Sequence, residues 1–99
     1  MTIDLVQRVV ADYFGLSLND LKGKKRNKAI AFPRQLAMYI TRDLTEFSTT
    51  EVGLEFGGRD HTTVMHACQR IDDRIKTDPT LAPAIQHLTR SIKEYRSPS

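Results

Sequence analysis

Residues 48–66 constrain this chain more than any other stretch, because they hold two helix-start signals separated by a glycine pair. Ser48-Thr49-Thr50-Glu51 has the spacing of a capping box, in which the serine hydroxyl accepts from the third helical residue and the glutamate reaches back. A short helix is expected from Thr49 to Phe56. Gly57 and Gly58 end it, since glycine enters the left-handed conformation of a helix C-terminus without a Cβ clash. Asp60 is placed to cap a second helix, on which Val64, Cys68, Ile71 and Ile75 recur at helical spacing and share one face. On that face Cys68 is expected to behave as a small buried hydrophobe. Two helices joined by the short turn Gly57-Gly58-Arg59 make a helix-turn-helix.

The flanking segments read as its scaffold. Ile3, Val6, Val9, Val10, Tyr13 and Phe14 form one stripe at helical period, with Thr2 as cap and Gly15 as terminator. Ser17-Leu18-Asn19-Asp20 opens a further short helix to about Lys22. A loop is expected next, over the crowded lysines. A long central helix then runs from about Pro33, or a few residues earlier, to Thr45, with Phe32, Leu36, Ile40, Leu44 and Phe47 as its buried pattern and Tyr39 alongside. Thr77-Asp78-Pro79-Thr80 breaks the second helix of the pair. Thr80 is the expected cap of the last helix, because it puts Pro83 at the third helical position, where a missing N–H costs nothing; Leu81, Ile85, Leu88 and Ile92 form the stripe. The fold class expected is all-α, compact, with no sheet. Residues 1–96 read as one domain and 97–99 as a disordered tail.

At 99 residues with 39% hydrophobic side chains, the chain suits one modest core. There is no apolar run long enough to span a bilayer and no basic-then-apolar leader at Met1, so a cytoplasmic location is expected, without a membrane segment. The single cysteine cannot form an internal disulfide. A net charge of +3 and a pI near 9.2 are only mildly basic. The distribution says more. Lys22, Lys24, Lys25, Arg26, Lys28 and Arg34 crowd together with no acid among them, which is unfavourable unless an anion settles there.

His61, Thr62 and Thr63 are short donors and acceptors at the open N-terminal turn of the second helix, off its apolar face. Such turns meet base edges in a major groove. The helix N-terminus adds free N–H groups and a partial positive charge suited to a phosphate. Asp60 can cap the helix or accept from a cytosine amino group, and both roles are compatible. Arg59 reads as a phosphate contact or a turn residue. Arg34, Gln35 and Arg42 lie on one side of the central helix, where Arg42 could instead pair with Glu46.

Gly58-Arg59-Asp60-His61-Thr62-Thr63-Val64-Met65-His66-Ala67 closely resembles the signature of the C-terminal DNA-binding domain of bacterial chromosomal replication initiators, the DnaA family. The resemblance extends to Lys24-Lys25-Arg26, to Pro33-Arg34-Gln35-Leu36-Ala37-Met38-Tyr39 and to Arg42-Asp43-Leu44-Thr45, and so covers the chain from about Ile3 to Tyr95. It implies a Trp-repressor-like helix-turn-helix that binds double-stranded DNA at origin initiator boxes as a monomer, in the nucleoid of a bacterium. Arg26 then enters the minor groove beside the major-groove helix, so that Arg26, Asp60, His61 and Thr62 contact bases. Lys24, Lys25, Lys28, Arg34, Gln35, Arg42, Thr49, Thr50, Arg59 and Thr63 are implied to contact phosphates, which fix register without reading sequence. Thr50, Phe32 and Gln69 depart from the family pattern, which commonly has proline, a polar or basic residue, and arginine there.

An enzyme is not expected. His61 and His66 stand roughly 140° apart on the helical wheel, so their rings do not converge on a metal. No phosphate-binding Gly-x-x-x-x-Gly-Lys loop is present, so ATP is expected only for the upstream ATPase module that such initiators carry, and this domain needs no cofactor. The domain would anchor that module at the origin and serve in transcription control. Regulatory proteins are further expected partners. The alternative is a helical protein-interaction module that binds a replication regulator through the same polar helix end.

Overall fold

The computed structural model describes residues 2–23 and 27–95; Lys24, Lys25, Arg26 and the tail expected at 97–99 lie outside the described residues. It contains six helices, α1 (Ile3–Phe14), α2 (Leu18–Lys22), α3 (Lys28–Leu44), α4 (Thr49–Glu55), α5 (His61–Thr77) and α6 (Leu81–Glu94), and no strand among the described residues. Local chemistry sets most of the boundaries. Thr2 Oγ1 accepts from the Leu5 N–H at 3.1 Å and Gly15, at φ 67°, closes α1. Both serine capping boxes form, Ser17 with Asp20 and Ser48 with Glu51.

The central helix α3 starts earlier than proline chemistry suggests. Asn27 caps it by accepting from the Ala29 N–H at 3.0 Å, so Pro33 lies inside the helix and not in its first turn. The advance brings Ile30 into the core. α3 packs against α1 on one side and α5 on the other, and this two-sided contact buries Ala37, Met38 and Thr41 beside the expected Leu36 and Ile40. Phe32, Leu44 and Phe47 are left half-buried. Among the described residues, seventeen buried apolar side chains drawn from all six helices form one cluster, each large member contributing about 1.5–3 kcal/mol relative to exposure.

Other expectations shift by a residue. Ala67, not Cys68, joins Val64 and Ile71 as a fully buried residue of α5; Cys68 and Ile75 are half-buried against the same cluster. Tyr13 stands out at 49% exposure, whereas Gln7 is wholly buried and donates Nε2 to the Glu55 carbonyl at 2.8 Å, tying α1 to the end of α4. Thr80 precedes α6 but does not cap it with its side chain. Its hydroxyl is committed to Asp78, to which it donates at 2.6 Å.

Candidate nucleic-acid interface

The close approach of α4 to the turn before α5 sets the position of the interface. Gly53 lies against this turn, its carbonyl accepting from the Arg59 N–H at 2.9 Å. Gly57 and Gly58 take φ values of 86° and 73°, reversing the chain as glycine alone does without strain. Asp60 then caps α5: one carboxylate oxygen accepts from the Thr63 N–H and from the Thr63 hydroxyl, both at 2.9 Å. These two bonds, backbone first, hold the Asp60 carboxyl below the usual aspartate range. Thr63 is therefore held by its own cap, while His61 and Thr62 stand exposed, neither side chain making a hydrogen bond among the described residues.

Around this helix end the charges lean one way. Neither α3 nor α5 has an acid in its first turn, and Lys28 occupies the first position of α3, where a cation opposes the helix dipole. A cleft of about 290 Å³ between α3 and α5 gathers Gln35, Arg59, Thr63, His66 and Arg70, and no acidic side chain lines it. His66 and Arg70 were not foreseen. The signal was available, since Thr63, His66 and Arg70 follow one another at helical spacing. Thr50 and Lys28 are exposed and Thr49 and Gln35 half-exposed, all open to an approaching backbone.

Several expected phosphate contacts are otherwise engaged. Arg34 is only 6% exposed; its Nε donates to the Leu21 carbonyl at 3.0 Å and its Nη2 to the Asp20 carbonyl at 2.6 Å. Burial, with the nearby Arg59 charge second, lowers its pKa. Arg34 is thus a brace between α3 and the end of α2. Arg59 is half-buried, donating to the Phe56 carbonyl and, at 2.9 Å, to the Gly23 carbonyl. Burial lowers its pKa as well. Arg42 remains exposed and donates to the Phe47 carbonyl at 2.7 Å, not to Glu46, fastening the end of α3 to the start of α4.

Two of the three departures from the family pattern also find a place. Phe32 packs edge-on against Phe14 at 6.1 Å and lies under the Arg74 guanidinium at 4.4 Å, so it serves the scaffold. Gln69 donates to Asp73 at 3.0 Å along the outer face of α5. Nothing in the structure explains the threonine at position 50.

Residues 3–71 match the family model described as the bacterial dnaA protein helix-turn-helix. The chain belongs to the DnaA helix-turn-helix family. It is 55% identical over 94 residues to the chromosomal replication initiator protein DnaA of Treponema denticola, a match that takes in 95% of this chain and 20% of that protein. The protein of the same name from Treponema pallidum (strain Nichols) is 49% identical over the same length, with the same coverage. The chain thus spans about a fifth of the length of the relatives it matches. A crystal structure described as a DNA replication initiation factor superposes with a TM-score of 0.81 at 28% identity, over 91% of this chain and 27% of that one. Among the described residues no helix is long and apolar enough to cross a membrane, and no cluster of His, Cys, Asp and Glu could hold a metal ion.

Proposed function

We propose that this DnaA-family domain binds double-stranded DNA at initiator boxes of a bacterial replication origin and there anchors an upstream ATPase module. The reading is carried by one observation: α5 presents His61 and Thr62, exposed and without a side-chain hydrogen bond among the described residues, at an Asp60-capped end flanked by a cationic cleft free of acids. A helix end of this kind enters a major groove, where Thr62 offers a methyl to thymine, His61 a donor, and Asp60 an acceptor for cytosine. Gln35, Lys28, Thr49, Thr50, Arg70 and the Arg42 guanidinium hold the flanking phosphates. Arg26, with Lys24 and Lys25, follows the adjacent minor groove. The domain binds as a monomer, needs no cofactor of its own and performs no chemistry, ATP belonging to the upstream module. The same contacts serve in transcription control in the bacterial nucleoid, where regulatory proteins are further partners.

The test is a titration of box-containing and scrambled duplexes at two salt concentrations. Box DNA is expected to bind at least ~10³-fold more tightly, both affinities falling steeply with salt. Equal affinity for the two duplexes would refute origin recognition. Absence of salt-dependent DNA binding would return the domain to a protein-interaction role.

A further inference from the structure

Arg59 reaches from the helix-turn-helix to the end of α2. Its Nη2 donates to the Gly23 carbonyl at 2.9 Å, while Nη1 donates to the carbonyl of Phe56, the C-terminal cap of α4. Two neighbouring contacts close on the same stretch. Arg34 donates to the Asp20 and Leu21 carbonyls, and a Cβ at Gly57 would stand only 2.5 Å from the Lys22 carbonyl oxygen. The last turn of α2 is thus clasped from α3 and from the turn that launches α5. Asp60, the cap of α5, is the next residue after Arg59, and Lys24-Lys25-Arg26 follows directly on Gly23.

We propose that Arg59 is a positioning residue that fixes the origin of the Lys24-Lys25-Arg26 segment relative to the recognition helix, so that the two grooves are read in register. This rests on the reading above, that α5 and Arg26 occupy adjacent grooves. The chemistry suits the task. A guanidinium presents a planar fork of donors that serves two carbonyls at once, which a lysine ammonium on a flexible stem does not reproduce. Freedom left at the root of a DNA-contacting segment would have to be given up on binding, and an anchor at Gly23 removes it in advance. Arg59 therefore contributes to specific affinity without touching DNA.

The experiment is a double-mutant cycle of Arg59→Ala and Arg26→Ala, with Arg59→Lys as the charge-retaining variant, read on box and scrambled duplexes over a range of salt. Arg59→Ala is expected to weaken box binding roughly tenfold, to leave scrambled DNA and the salt slope nearly unchanged, and to shrink the cost of Arg26→Ala to about threefold or less. Arg59→Lys should behave like the alanine variant. Additive costs would overturn the proposal. So would equal losses on both duplexes with a salt slope reduced by about one and rescue by lysine, which mark a direct phosphate contact. Hydrogen exchange of the DNA-free Arg59→Lys protein guards against misfolding. The Gly23 amide, which donates to the Asn19 carbonyl at 2.7 Å, should exchange at least about tenfold faster while α5 stays protected, and unchanged protection at Gly23 overturns the anchor. A wild type without box preference overturns the groove reading and the register claim with it, an outcome the DNA-free measurement does not mimic.

Discussion

Replacing Gly53 by alanine tests the packing that aims the recognition helix. A Cβ at this position would stand 2.1 Å from the Arg59 carbonyl oxygen, 3.0 Å from its carbon and 3.3 Å from the Asp60 oxygen. All three atoms are backbone, so no rotamer change relieves the overlap. Carbon and oxygen approach to about 3.3 Å at closest, so α4 and the turn must separate by roughly an ångström. The Arg59 N–H to Gly53 carbonyl bond would stretch with them. Forced overpacking costs about 1–3 kcal/mol, and a rigid backbone neighbour places this site at the upper end. Alanine returns about 1 kcal/mol of helix propensity. The net loss is then about 1–2 kcal/mol, or roughly 4–16 °C in melting temperature for a domain of this size. Thermal melts by circular dichroism measure it. Gly58→Ala is the control, because its Cβ meets nothing within 4 Å and carries only the left-handed backbone penalty at φ 73°. If Gly53→Ala melts at or above the wild type, propensity outweighs contact and α4 does not rest on the turn.

Three further outcomes follow from the same geometry. Arg34→Ala leaves the Asp20 and Leu21 carbonyls without this donor and should lower stability by about 1–3 kcal/mol while leaving the salt slope of DNA binding unchanged; an intact melt with a shallower slope would make Arg34 a phosphate contact after all. Asp60 has a depressed carboxyl pKa in the folded protein, so its stabilisation is present above the unfolded value near ~4 and is lost as pH falls through the folded value. The melting-temperature gap between wild type and Asp60→Ala should accordingly be full at neutral pH and narrow in acid, and a pH-independent gap would contradict the capping bonds. Burial pushes the Cys68 thiol up, so native protein should react with a thiol reagent more slowly than unfolded protein at neutral pH, and Cys68→Ala should cost about 1 kcal/mol or less without changing DNA affinity.

What the sequence disclosed and what it withheld divide along the range of the interactions. Thr2, Ser17, Ser48 and Asp60 act on residues three positions away, and a short pattern is enough to find them. The boundaries of α1, α2 and α5 follow from such signals. Arg34 and Arg59 act across 13 and 36 residues, and their targets are carbonyl oxygens. A guanidinium aimed at a carbonyl and one aimed at a phosphate look alike in sequence, because both seek an oxygen acceptor, and only the packing of α2 under the turn separates them. Gly53 hid for a related reason. A glycine within a helix reads as a local weakness until a backbone from elsewhere is seen pressed against it. Pro33 drew the expected start of α3 towards itself, whereas the helix begins at the Asn27 cap and buries Ile30 in the turn between them.

The central claim is that the first turn of α5 reads bases whereas its surroundings hold the backbone. The most direct test compares wild type and Thr62→Ala on box and scrambled duplexes across a series of salt concentrations, in variants shown to melt alike. Thr62→Ala is expected to lose about 1–3 kcal/mol of discrimination between the two duplexes while keeping the same salt slope, since no phosphate contact is removed. An undiminished preference for the box, or a loss shared equally by both duplexes, would contradict the account.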